Sequence, residues 1–318
     1  MRGRAALVAL TVAISISADA AAAEPRYPAQ PVQIIMPFSA GGGVDIVARA
    51  LAAALSERLG QPFVVVTRDG AAGAIGFGAL AQAKPDGYTL ASSPATPMTN
   101  LPHLQKDLPY GFDSFAPICQ TFENVYSIAV LPTSPYRALQ DLLDDARARP
   151  GRVFYGSGGL GTIPHLSVEA LAKAAGVRMT MVPFRGDAQM LPHLLSGEVG
   201  FGSVAISSIA GRDLRLLVVF GNRRDPSFPA VPASSELGAA ELSPGLNGLF
   251  APRGTPEPIL DALEHGCAAI AASDAFRAQI ERLNGRVAYL DRAAFTARLR
   301  HDYEAKGRLI RELGLTPQ

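Results

Sequence analysis

No tryptophan occurs in these 318 residues, and there are only two cysteines and five histidines. The histidines (His103, His165, His193, His265, His301) are scattered without metal-ligand spacing, so no metal site is expected. The cysteines, Cys119 and Cys267, could pair in an oxidising compartment, and two buried free thiols fit the sequence equally well. An excess of one charge is also missing. The 29 basic and 28 acidic residues nearly balance and form no basic block, which speaks against nucleic acid or an anionic membrane surface as partner. Long apolar runs are absent too. The longest stands at the N-terminus and covers about 12 residues, where spanning a bilayer core needs about 20.

What is present begins with that short run. Arg2 and Arg4 precede an uncharged stretch over 5–16, and small residues lead to Ala20 and Ala23. This is the pattern of a secretory signal peptide over 1–23, cut after Ala20 or Ala23, and it predicts export to the periplasm. The roughly 295 residues that remain suit two cores better than one. Short β-type runs and helical periodicities alternate along them. Strands are predicted over 32–37, 63–66 and 89–92, with helices over 44–59 and from the glycines at 70–76 to Lys84. The rhythm restarts with strands over 126–131, 153–155, 179–182, 199–204 and 214–220, interleaved with helices over 139–148, 163–175 and 188–195. A Pro-rich stretch over 222–244 and a short apolar run over 248–251 follow, and the last seventy residues read as helical. The implied class is α/β: two lobes, each a mostly parallel sheet with flanking helices. Lobe 1 takes 24–122 and 246–318, lobe 2 takes 123–245, and the ligand cleft lies between them.

Three glycine-bearing loops each run from a strand to a helix N-terminus. They are Phe38-Ser39-Ala40-Gly41-Gly42-Gly43, Gly156-Ser157-Gly158-Gly159-Leu160-Gly161-Thr162 and Phe184-Arg185-Gly186-Asp187. Free N–H groups and the positive end of the helix dipole make such points anion sites without a charged side chain. In open α/β sheets ligands bind where these loops lie, beyond the carboxyl ends of strands. The spacing Gly156-x-Gly158-x-x-Gly161 imitates a dinucleotide fingerprint, but the acid expected about twenty residues on is missing. Ser157 and Ser203 lack a G-x-S-x-G frame, because Tyr155 and Phe201 stand at the first glycine position. No glycine loop carries a P-loop lysine. Asp45, in the first turn of its helix, reads as a loop-fixing or dipole-compensating carboxylate more readily than as a general base. Arg185 could pair with a ligand carboxylate or serve the surface; Arg68 reads as structural. No catalytic residue and no cofactor is expected. An exported hydrolase is the alternative from another class, opposed by the lack of any paired nucleophile and base.

The leader Tyr27-Pro28-x-x-Pro31 and the strand-loop Pro37-Phe38-x-x-Gly41-Gly42-x-x-Asp45 resemble the Bug-type receptors of tripartite tricarboxylate transporters. So do Ser56-Glu57-Arg58-Leu59-Gly60-Gln61-Pro62, Pro85-Asp86-Gly87-Tyr88-Thr89, Gly161-Thr162-x-x-His165-Leu166 and Leu249-Phe250-Ala251-Pro252-x-Gly254-Thr255-Pro256. The match runs in order from about residue 27 to the C-terminus. The resemblance implies a fold similar to type II periplasmic binding proteins: two α/β lobes that close on a carboxylated solute. It implies delivery to the membrane permease of such a transporter; a monomeric sensor for a membrane kinase is the alternative partner reading. Carried over by position, it nominates Phe38, Ala40, Gly41, Asp45, Ser157, Thr162, Gly186 and Asp187. Ser39, Gly42 and Gly158 join them from the same loops, and Ser92 from the end of its strand. Departures bear on the ligand: Thr67-Arg68-Asp69-Gly70, Gly73-Ala74-Ile75-Gly76, Asn247 where an aromatic is common, and Val204 where relatives often carry Asp. With valine at Val204 offering no acceptor, a mono- or dicarboxylate without an amino group is expected, its apolar part near that side chain.

Overall fold

The computed structural model describes residues 27–238 and 244–315; the signal segment expected over 1–23 lies outside the described residues. The chain first lays down β1 (Val32–Met36), α1 (Gly43–Leu59), β2 (Phe63–Thr67), α2 (Ala74–Ala81), β3 (Thr89–Pro94), the single turn α3 (Thr96–Thr99) and β4 (Phe115–Asn124). It then crosses at Val125 to β5 (Tyr126–Val130), α4 (Leu139–Ala148), β6 (Phe154–Ser157), α5 (Ile163–Ala175), β7 (Thr180–Pro183), α6 (Asp187–Leu195), β8 (Phe201–Ala205) and β9 (Arg215–Phe220). It returns with β10 (Gly245–Pro252), α7 (Glu257–Ala271), α8 (Asp274–Glu281), β11 (Arg286–Leu290) and α9 (Arg292–Glu312).

Two sheets result. The first has strand order β11-β4-β10-β3-β1-β2 and the second β7-β6-β8-β5-β9. The expectation of mostly parallel strands gives way to mixed sheets. β1 runs parallel to β2 and β3, but β10 is antiparallel to β3 and β4, and β11 is antiparallel to β4. In the second sheet β6 is parallel to β7 and β8, while β5 is antiparallel to β8 and β9. The reversals fall on β5 and β10, the strands that follow a change of lobe, and on β11, which pairs with the edge of β4 after α8. At the changes of lobe no crossover helix forces the parallel direction.

Each sheet is covered on both faces. Val47, Leu51 and Leu55 of α1 join Leu260 and Leu263 of α7 against Ile34, Leu90 and Ile118, whereas Phe77, Phe250 and Phe295 fill the other side. Gly60, at φ 75°, ends α1 in the left-handed conformation that a Cβ disfavours. In lobe 2, α4 and α5 cover one face with Leu142, Leu143 and Leu171, and α6 covers the other with Met190, Leu191 and Leu194. Two strands escaped the sequence reading. β4 holds Gln120, Thr121 and Asn124 fully buried, so it shows neither alternation nor a clean apolar run, and β11 sits inside a stretch expected to be helical. Cys119 of β4 and Cys267 of α7 are joined in a disulfide inside the lobe 1 core.

Candidate functional site

The three glycine loops meet between the lobes. Gly42, Thr162 and Gly186 are the N-caps of α1, α5 and α6, and none of the three caps its own helix with its side chain. All three line one cavity of roughly 40 Å³, with Phe38, Ser39 and Val44 from lobe 1 and Gly158, Asp187 and Ala205 from lobe 2. Three helix dipoles, each worth about half a positive charge at its N-terminus, therefore point into a common space. No Lys, Arg or His lines it among the described residues, so the positive potential is supplied by backbone. A space of that size holds a few waters. The lobes must part for a solute to enter. A larger hollow of about 310 Å³ opens on the hinge side among Glu123, Arg223, Arg224, Arg286 and Arg298, but none of the three loops reaches it.

The lobes are docked by direct hydrogen bonds around the cavity. Ser39 N donates to Arg185 O at 3.0 Å, Gly43 N to Ser208 Oγ at 3.1 Å, and Asn100 Nδ2 to Gly161 O at 2.8 Å. Such contacts need backbones within reach of each other. Gly43 allows this, since a Cβ there would stand 2.3 Å from Ser207 Oγ and 2.7 Å from the Ser207 carbonyl carbon.

Of the residues nominated from sequence, Phe38, Ser39, Gly42, Gly158, Thr162, Gly186 and Asp187 stand on the cavity wall. Ala40 and Gly41 lie exposed on the outer edge of the first loop. Asp45 is buried beneath that loop; its Oδ2 accepts from Gly41 N at 2.9 Å and from Arg49 Nε at 3.0 Å, so it shapes the loop and does not face the cavity. Ser157 is fully buried at the end of β6, 3.4 Å from the Thr162 hydroxyl. Thr162 Oγ1 donates to Gly159 O at 2.8 Å, which leaves it an acceptor toward the cavity. Ser92 is buried in β3 opposite Leu249, away from the wall. Val204 requires a correction: it is fully buried in the lobe 2 core beside Met190, Leu191 and Leu194 and does not line the cavity. Successive residues of a strand face opposite sides, and it is Ala205 that reaches the wall.

The polar groups of the floor were not legible in the sequence. Asn124, at the end of β4, accepts from Ser207 Oγ at 2.7 Å, and its side chain also hydrogen-bonds the Tyr126 phenol. Tyr126, Thr96 and Ser208 complete that side. Ser39 Oγ is buried and has no partner among the described residues. Asp187 is the carboxylate of the cavity. Ala205 N donates to its Oδ2 at 3.1 Å and the Ser208 hydroxyl also donates to it, yet burial outweighs both and pushes the group up to about 6. Burial pushes the Tyr126 phenol far up as well, with Asp187 adding to the effect. His165 sits under the second loop, where its Nδ1 accepts from Gly161 N at 3.1 Å. Burial lowers it to about 4, so it stays neutral and fixes that amide.

The family model of the tripartite tricarboxylate transporter family receptor matches residues 47–315. BugT of Bordetella pertussis is 34% identical over 257 residues, covering 78% of this chain and 77% of its own. An adipate-bound protein of R. palustris superposes with TM-score 0.86 at 28% identity, covering 92% of this chain and all of its own. MatC of Rhodopseudomonas palustris with bound malate superposes with TM-score 0.83 at 25% identity, covering 89% of this chain and all of its own. With two α/β lobes closing helix N-termini around one cavity, and with this likeness along nearly its whole length, the chain belongs to the receptor family of the tripartite tricarboxylate transporters.

Proposed function

We propose that the protein is exported, loses residues 1–23, captures a small organic carboxylate between its lobes, and presents the closed form to the membrane permease of a tripartite tricarboxylate-type transporter. The convergence of three helix N-termini from both lobes on one cavity carries this reading. A carboxylate is the group such a potential selects, and it can bind only with both lobes engaged. Adipate and malate, bound by two structural relatives, set the size range of the first solutes to try. The Cys119–Cys267 disulfide suits an oxidising compartment, and no described helix is long and apolar enough to cross a membrane.

The test is a thermal-shift and small-angle scattering screen of small mono- and dicarboxylates on the purified protein. A ligand that binds only the native state adds about 2.7 kcal/mol at a hundredfold excess over Kd. A cognate acid should raise the melting temperature and shrink the radius of gyration. An organic-acid library that does neither removes the receptor reading.

A further inference from the structure

Asp187 is out of place in a cavity built for an anion. Three helix N-termini converge there to hold a ligand carboxylate, yet the same wall carries a carboxylate of the protein. Asp187 stands in the first turn of α6, where the helix dipole favours a carboxylate, and no cationic side chain pairs with it: among the described residues no Lys, Arg or His lines the cavity. Its hydrogen-bond donors also fix its role. Oδ2 accepts from Ala205 N and the carboxyl receives the Ser208 hydroxyl, an arrangement that serves an ionised acceptor. The other oxygen, Oδ1, is turned toward Gly158, where a Cβ would stand 3.8 Å from it. That oxygen therefore faces the glycine loop at which the ligand carboxylate is held. A half-buried carboxylate with no cationic partner is costly, and a plain anion brought beside it adds repulsion. A ligand with its own cation next to the carboxylate removes both penalties.

Resting on the reading of the cleft as a carboxylate site, we propose that Asp187 is a specificity-determining residue that receives the ammonium group of the ligand, so that the preferred solute is an amino acid. Val204, buried in the lobe 2 core, does not meet the ligand and so does not disfavour an amino group, and Asp187 supplies an acceptor on the cavity wall. In the complex the helix termini hold the ligand carboxylate and Asp187 Oδ1 holds its ammonium. A 2-hydroxy acid, which offers a donor without a charge, ranks second, and the unsubstituted acid ranks last.

Calorimetry on the wild-type protein with three matched series tests this: alanine, lactate and propionate; aspartate, malate and succinate; glutamate, 2-hydroxyglutarate and glutarate. In the series that fits the cleft, the amino acid should bind at least tenfold more tightly than the unsubstituted acid. Asp187→Asn, nearly isosteric and still able to accept from Ala205 N, should lose that preference or invert it. Equal or tighter binding of the unsubstituted acid by the wild type overturns the proposal and leaves the carboxylate reading standing. An unchanged preference in Asp187→Asn also overturns it, since the ammonium would then be held elsewhere. Binding of none of the nine probes counts against both.

Discussion

A carboxyl raised to about 6 lowers the stability of the unliganded fold above that pH. The unfolded Asp titrates near 4, so between about pH 4 and 6 the native state holds the extra proton. Stability must therefore fall as pH rises through this window, and below it the Asp187 contribution vanishes. The cost at pH 7 is on the order of 1–3 kcal/mol. Asp187→Asn removes it. Unliganded wild type and variant should melt together near pH 4 and separate by several degrees at pH 7, with the variant the more stable. Parallel melting curves across that range would mean that Asp187 titrates normally. At this scale the sequence was informative only in part. It pointed to the loops that bring Phe38, Ser39, Thr162 and Asp187 together. It also pointed to Asp45 as the carboxylate that fixes the first loop, the role its bond to Gly41 N fulfils, but it could not show that Arg49 joins it or that Val204 faces α6. The face of a strand depends on register, and a shift by one residue exchanges Val204 for Ala205.

At the scale of elements, strand–glycine–helix units were readable because apolar periodicity and a glycine start are local signals. β4 was not. Its Gln120, Thr121 and Asn124 are buried by tertiary contacts with β10, β11 and lobe 2, which no window of sequence reveals, and Asn124 of the cavity floor was missed with it. The first turn of α1 offers a sharper test of the docked arrangement. A Cβ at Gly43 would enter the backbone of Ser207 across the cleft, and a backbone atom cannot move aside as a flexible side chain can. Gly43→Ala should leave the circular dichroism of both lobes intact while holding the lobes apart. The expected readouts are a larger radius of gyration in the presence of a cognate acid and at least a tenfold loss of affinity, equivalent to about 1.4 kcal/mol. Wild-type affinity in this variant would mean that ligand is gripped without Gly43 meeting Ser207.

For the whole molecule, two α/β lobes were legible from the restarted rhythm, whereas the mixed strand directions were not, because nothing local marks the sense in which β5 and β10 re-enter a sheet. The choice between a disulfide and two free thiols was equally open, since Cys119 and Cys267 stand 148 residues apart in sequence. A cross-link over that separation limits the unfolded chain strongly, by up to about 5 kcal/mol in the loop-entropy account. Reduction, or a double Cys119→Ala and Cys267→Ala substitution, should lower the urea midpoint by an amount corresponding to about 2–5 kcal/mol. An unchanged midpoint would show the staple to be energetically idle. The bond also changes what a cut means. Residues 120–266, the whole of lobe 2 among them, form a closed ring with two tails. A protease that severs one peptide bond anywhere in that ring turns it into a branched chain still held in one piece, so the half that must swing to admit solute can be nicked without the receptor shedding it.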